Sequence, residues 1–187
     1  DGTGYQTGLA SSEDLVHWTR SGLVFARDEK SAYFKYNASL DTILSDHEYP
    51  NVGRLKKVNG RYVASWHAYP KPGYEQGAAI VGLAWSDDLR TWEAGPPILF
   101  PEDGGKWERG GLYKTYLIES EGTYYLYYNA KDSKELPWVE ESGVVMSKDL
   151  VHWTRFAGNP ILKIGGAGSF DQLFASNPCV VKKGHSW

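Results

Sequence analysis

Gly82-Leu83-Ala84-Trp85-Ser86-Asp87-Asp88-Leu89-Arg90-Thr91-Trp92 decides the fold, because the chain writes this phrase three times. It stands earlier as Gly8-Leu9-Ala10-Ser11-Ser12-Glu13-Asp14-Leu15-Val16-His17-Trp18 and later as Gly143-Val144-Val145-Met146-Ser147-Lys148-Asp149-Leu150-Val151-His152-Trp153. The common pattern is Gly-(Leu/Val)-(Ala/Val)-x-Ser-x-Asp-Leu-x-x-Trp. It reads as a strand, a polar turn and a short second strand carrying the Trp. An Asp in such a turn accepts backbone N–H bonds. Whatever recurs in every copy serves folding, which every copy needs. Asp14, Asp88 and Asp149, the three Trp residues, and His17 and His152 at matched places are therefore scaffold.

A second phrase precedes the later copies. It covers Val52 to Tyr69 with Asn59-Gly60-Arg61-Tyr62 at its turn, and Leu112 to Asn129 with Glu121-Gly122-Thr123-Tyr124-Tyr125 at its turn. It begins again at Val180, with Lys183-Gly184-His185-Ser186-Trp187. Two β-rich runs around a Gly turn make a hairpin. A hairpin followed by the first phrase gives four antiparallel strands, and a repeated four-stranded unit is the signature of β-propeller blades. The chain reads as all-β and as one partial propeller domain. Residues 1–20 end a blade, 48–92 and 107–155 are whole blades, and 170–187 start another. The surplus length falls in 21–46, 70–76 and 131–141, which read as loops. An open propeller leaves unpaired strand edges, so the expectation is that these edges meet the remainder of a propeller or a second copy of the chain.

Composition narrows the functions. With 20 basic and 23 acidic residues, a net charge of −3 and no basic run, the 187-residue chain has no footprint for nucleic acid. No apolar run approaches the ~18 residues of a spanning helix, so no membrane role is expected. The single cysteine, Cys179, excludes an intrachain disulfide, and no His/Cys motif of metal-binding spacing occurs, so no metal or cofactor is expected. Asn37-Ala38-Ser39 fits the N-glycosylation acceptor pattern. Eight Trp and 13 Tyr suit sheet packing and also sugar faces.

Chemistry should come from residues that break the repeat, at the entry to each blade's first strand. An acid stands near each expected entry: Asp46 or Glu48, Glu108 and Asp171. Carboxylates converging from several blades are what glycoside cleavage needs, one to protonate the leaving oxygen and one to activate water or attack carbon. His67, following Trp66 on a second strand, is a candidate sugar-hydroxyl contact, and Arg109 a candidate holder of an anionic sugar or phosphate.

The hairpin after an acid, followed by the Gly-Leu-Ala-x-Ser-x-Asp-Leu-x-x-Trp phrase, resembles the five-bladed propeller glycosidases: glycoside hydrolase families 43, 32, 62, 68 and 117, and the mannoside phosphorylases of family 130. The resemblance runs from Gly8 to the end of the chain. Glu108-Arg109-Gly110-Gly111-Leu112-Tyr113-Lys114 is similar to the group's third-blade segment, Glu-Gly-Pro-x-(Ile/Leu)-(Tyr/Phe)-Lys. That implies Glu108 as general acid, while Arg109 departs from the pattern; Arg109, Tyr113, Tyr49 and Asn177 are candidate substrate contacts. Tyr49-Pro50-Asn51-Val52 and Asn177-Pro178-Cys179-Val180 echo the group's Asp-Pro-x-Val phrase, with Tyr49 and Asn177 in the acid's slot. The resemblance implies that the first-blade acid would precede residue 1. It implies glycoside hydrolysis on a carbohydrate partner, with phosphorolysis or sugar binding without catalysis as the alternatives.

Overall fold

The computed structural model describes residues 4–187, so the first three residues of the expected 1–20 element lie outside it. Among the described residues the regular structure is β, with two short 3₁₀ turns at Pro101–Asp103 and Lys106–Glu108 and no α-helix. No helix is long and apolar enough to cross a membrane. Strands β1 (Thr7–Ser11) and β2 (Thr19–Phe25) pair antiparallel. The middle sheet has the order β3 (Ser39–Ile43), β5 (Arg61–Ala68), β6 (Ile80–Ser86), β7 (Glu93–Leu99), with the short β4 (Lys57–Val58) also on β5. In the third sheet β8 (Gly111–Ser120), β9 (Thr123–Lys131), β10 (Glu140–Ser147) and β11 (Thr154–Arg155) follow one another as a meander. The third sheet is a four-stranded blade as the repeat implies, and the middle sheet is a blade whose innermost position is shared by β3 and β4.

The recurrent phrase folds the same way each time. Leu15, Leu89 and Leu150 all take φ of 64°, a conformation uncommon for a residue with a side chain. A ring of bonds holds each Leu there. The Ser12, Ser86 and Ser147 Oγ atoms accept from the Leu N–H at 2.9, 2.8 and 2.9 Å. Oδ1 of each Asp accepts the next two backbone N–H groups, as at Asp88 from Arg90 and Thr91, both at 2.8 Å. Each Trp indole then donates to the Leu carbonyl at 3.2–3.3 Å. The hairpin turns also match the sequence: Asn59-Gly60 and Glu121-Gly122 have positive φ at both positions, as a two-residue turn between twisted strands requires.

The glycine that opens the phrase has a packing reason. A Cβ on Gly82 would sit 2.2 Å from the Trp66 ring, and one on Gly143 would sit 2.6 Å from Trp107 and 2.7 Å from Tyr128. A large ring on the neighbouring strand takes the missing side chain's place, and fully burying such a ring stabilises by roughly 3 kcal/mol. Trp66 packs with Phe25, Ala64, Ala84 and Trp92 on one side of the middle blade. Val63, Val81, Leu83, Leu112, Leu117 and Leu126 pack on the other, joining the middle and third blades.

The middle blade begins earlier than the sequence suggests. The repeat places its entry at 46–52, but its inner strand is β3, at 39–43, paired with β5 from Leu40↔Trp66 to Ile43↔Ala64. Residues 46–54 leave the sheet as an excursion closed by the Ser45↔Leu55 bridge. Lys56 N–H returns to the Leu44 carbonyl at 2.9 Å, and β4 resumes the pairing on β5. The inner strands of the two blades touch: Thr42 Oγ1 donates to the Thr115 carbonyl at 3.2 Å and accepts from Leu117 N–H at 3.0 Å. Beyond β11 the chain runs beside β10 through the Glu140↔Phe174 bridge and meets the excursion through Glu48↔Lys182. The expected turn at 183–186 forms, with Lys183 N–H on the Ser186 carbonyl at 2.9 Å.

Candidate active site

Asp41 sits in the middle of β3, a short half-buried strand without apolar alternation. Its carboxylate bridges the two blades. Oδ2 accepts from Thr115 N–H at 2.9 Å and from Thr115 Oγ1–H at 2.7 Å, both on β8. Oδ1 lies 2.7 Å from Nδ1 of His67 on β5, and the two side chains are only 7% and 8% exposed. With the Nδ1 proton given to Asp41, Nε2 is left as an acceptor, and the Tyr5 hydroxyl stands 2.9 Å from it. A chain of hydrogen bonds thus runs from Tyr5, ahead of β1, through His67 and Asp41 to Thr115, tying the segment before β1 to both blades.

Rings enclose this chain. His67 lies edge-on to Tyr5 at 5.9 Å and to Tyr69 at 6.0 Å, and Tyr113 is 6.2 Å away. Burial pushes the Tyr5, Tyr69 and Tyr113 hydroxyls far above the ordinary phenol value, so all three stay protonated. The Glu140 carboxylate also raises Tyr113, through a hydrogen bond.

Glu140 opens β10 directly opposite Lys131, the last residue of β9. Its Oε1 takes the Trp138 indole N–H at 3.2 Å. The Lys131 ammonium lies 4.6 Å from the Trp138 ring centre, 5.2 Å from Tyr69 and 5.7 Å from Tyr113. Burial lowers its pKa, while the charges of Glu75 and Glu140 act in the opposite direction. Glu75, on the β5–β6 loop, has φ of 54° and its charge bears on Tyr5, Tyr69, Tyr113 and Lys131. Asn37 fixes that loop. Its Oδ1 accepts from Tyr5 N–H at 3.2 Å and its amide donates to the Gly73 carbonyl at 3.3 Å. Asn37 is fully buried, so the glycosylation pattern at this position is filled by a structural side chain.

Of the residues proposed from sequence, the structure brings His67 and Tyr113 into this cluster. The others lie elsewhere. Glu48 and Tyr49 are exposed on the excursion, where Tyr49 N–H bonds the Lys182 carbonyl at 3.0 Å. That excursion lies at the other end of β8, where Lys56 bonds Glu119 at 2.6 Å. Six strand residues separate Glu119 from Tyr113, on the order of 20 Å. Glu108 is 1% exposed. Its carboxylate accepts from the Tyr128 hydroxyl at 2.6 Å and from Arg155 Nε at 3.0 Å, on the outermost strand of the blade. Arg109 spends its guanidinium on the Glu102 and Gly104 carbonyls at 2.8 and 3.1 Å. Asp171 lies in a turn that its own carbonyl closes with Gly165 N–H at 3.3 Å. Asn177, with φ of 63°, approaches the cluster only through its backbone N–H, 2.7 Å from Asn129 Oδ1.

Tyr5, Asp41, Tyr69, Glu75, Thr115, Lys131 and Glu140 were not singled out from sequence. Asp41 is hidden in a strand with no periodicity. Glu75, Lys131 and Glu140 do carry a signal, since they lie within or at the ends of the 70–76 and 131–141 stretches that interrupt the repeat. Among the described residues no group of His, Cys, Asp and Glu is arranged to hold a metal ion.

No family model matches the chain. Solved structures and one curated protein do resemble it. A complex of BT0996 with RGII superposes with a TM-score of 0.84 at 25% identity, over 98% of this chain and 56% of that one. A structure described as a glycoside hydrolase gives a TM-score of 0.77 at 25% identity, over 89% of this chain and 52% of that one. Zg3597, a family 117 glycoside hydrolase of the marine bacterium Zobellia galactanivorans, shares the fold with a TM-score of 0.65 at 23% identity, over 84% of this chain and 43% of that one. Blade topology and these likenesses show that the chain shares the β-propeller fold of these glycoside hydrolases. By sequence it is 30% identical over 131 residues to a 1,2-β-oligomannan phosphorylase of Thermoanaerobacter sp. (strain X514), covering 69% of this chain. The chain spans 34% of that relative's length.

Proposed function

We propose that the protein hydrolyses glycosidic bonds of an oligo- or polysaccharide, using the cluster around Asp41 and His67. The observation that carries this reading is the hydrogen-bonded Thr115–Asp41–His67–Tyr5 chain, which links the inner strands of adjoining blades to the second strand of the middle blade and to the segment before β1. Cleavage of an acetal needs a proton delivered to the leaving oxygen and a proton taken from the attacking water. In this reading the Tyr5 hydroxyl takes the water's proton while its own passes to His67 Nε2. Asp41, bonded at Nδ1, stabilises the imidazolium, the role a buried acid plays beside a catalytic imidazole. Glu140, whose Oε1 takes the Trp138 indole N–H, enters protonated and gives its proton to the leaving oxygen. Glu48, Glu108 and Asp171 take no part. The test is turnover of a panel of 4-nitrophenyl glycosides by the full-length protein in phosphate-free buffer. Release of nitrophenol and free sugar is expected. No turnover on any member, with the protein folded, overturns the reading.

A second reading is phosphorolysis, favoured by the likeness to the oligomannan phosphorylase. Turnover that requires inorganic phosphate and yields a sugar 1-phosphate would replace hydrolysis with this activity.

A further inference from the structure

Among the described residues two donors of the cluster, the Lys131 ammonium and the fully buried Tyr69 hydroxyl, have no protein acceptor. Lys131 is 3% exposed, and among the described residues no carboxylate lies within the 4.0 Å of an ion pair with its ammonium. The ammonium stands 4.6–5.7 Å from the centres of three aromatic rings. Tyr69 is 1% exposed, and its hydroxyl is buried without a hydrogen-bond partner. Buried polar groups are nearly always bonded, and a desolvated ammonium is costly to leave unpaired. Both groups belong to one place, since the Lys131 ammonium stands 5.2 Å from the Tyr69 ring centre.

The surrounding charge states what kind of oxygen fills it. Glu75 and Glu140 both act on Lys131, and Asp41 acts on Tyr69. Glu140 stands directly opposite Lys131 and Asp41 is fixed on the neighbouring strand, so even with Glu140 protonated the single ammonium is matched by the Asp41 carboxylate, and with Glu75 the surroundings are negative. An anionic group placed there would meet net repulsion, strengthened by the low local dielectric. A neutral sugar meets none. Its hydroxyl oxygens accept from Lys131 and Tyr69, and its hydroxyl protons go to Glu140 and Glu75. The rings of Tyr69, Tyr113 and Trp138 supply apolar faces for the C–H side of the sugar. Of these, Trp138 is half-buried and closes the cage from the β9–β10 loop.

We infer that Lys131 and Tyr69 are the donors that bind adjacent hydroxyls of an uncharged sugar, and that the acids around them exclude uronic and phosphorylated sugars. This rests on the reading of the cluster as a sugar site. The test measures binding, so that it is separate from turnover. The full-length protein is titrated calorimetrically with mannose, galactose and arabinose, with galacturonate and glucuronate, and with inorganic phosphate. At least one neutral sugar is expected to bind ~10-fold or more tightly than any of the anions. Lys131→Met, which keeps the buried stem, and Tyr69→Phe, which keeps the ring, are each expected to weaken that binding by ~10-fold or more. Lys131→Met is also expected to melt no lower than wild type, because it removes an unpaired buried charge. That split between binding and stability would not appear if Lys131 merely supported the fold. Tighter binding of a uronate or of phosphate overturns the inference, as does unchanged neutral-sugar binding in both variants, or no sugar binding at all. Neutral-sugar binding lost in both variants, with no turnover of any glycoside, sustains the inference and overturns hydrolysis.

Discussion

The molecule holds the same acid–imidazole pair in two settings. At the outer turns, His17 Nδ1 lies 2.6 Å from Asp14 and His152 Nδ1 lies 2.7 Å from Asp149, with the imidazoles 88% and 87% exposed. At the inner strands, His67 Nδ1 lies 2.7 Å from Asp41, with both side chains less than a tenth exposed. The distances are alike, so distance does not distinguish the two settings. The far nitrogen and the solvent do. Water surrounds the rim pairs and screens them. The inner imidazole meets a half-buried tyrosine at its second nitrogen, and its acid is fixed by a neighbouring blade. The middle rim turn adds a control made by nature. Thr91 stands there in place of His, and Asp88 is still held below the usual carboxylate range by the backbone N–H groups of Thr91 and Arg90. The imidazole is dispensable at the rim, where the backbone bonds do the holding.

Removing one imidazole from each setting breaks this comparison most sharply. His67→Ala is expected to lower kcat/KM by ~10²-fold or more, the usual scale for a lost acid–base group. His152→Ala is expected to leave it unchanged and to move the melting temperature by less than ~2 °C. Equal losses in both would show that the settings do not differ in function.

The next effect concerns stability alone. Arg155→Met strands the Glu108 carboxylate in the core with only Tyr128 as donor. Breaking a buried pair from one side costs about 3 kcal/mol, which a urea titration would read as a lower midpoint. Substrate affinity measured well below that midpoint is expected to be unchanged.

The smallest effect is that of pH on the rim turns. The Asp14 and Asp149 carboxyls are held well below the usual range, first by the His17 and His152 side chains and then by backbone N–H groups. A depressed folded-state pKa contributes stability that is fully present above the unfolded carboxylate value and lost as pH falls through the folded one. Asp149→Asn is therefore expected to be less stable than wild type near neutrality, with the difference shrinking in acid. A gap that widens on acidification would contradict this assignment.

The blades were legible because each device that builds them recurs. The Ser-x-Asp-Leu turn needs fixed residue types at fixed spacing, and the Asn-Gly and Glu-Gly hairpin turns need positive φ. Gly82 and Gly143 announce a large ring beside them. The site was less legible because it is assembled from single residues on different sheets. His67 and Tyr113 were visible beside aromatic strand residues, but Asp41 occupies a five-residue strand with no apolar period. The excursion at 46–54 then offered acids at the place where a strand entry was expected. Glu108 shows what a motif leaves open. A motif position fixes where a residue lies along the chain, while its burial depends on Arg155, 47 residues later.

The most direct test sets Asp41→Asn against Glu108→Gln in the full-length protein, on whichever aryl glycoside it cleaves best. Both changes keep side-chain shape and remove a carboxylate, one from the inner-strand cluster and one from beneath the outer strand. Asp41→Asn is predicted to lose kcat by ~10²-fold or more with its fold intact. Glu108→Gln is predicted to retain turnover while melting at a lower temperature. Full activity in Asp41→Asn, together with loss of activity in a folded Glu108→Gln, would contradict the assignment of the chemistry to Asp41 and His67.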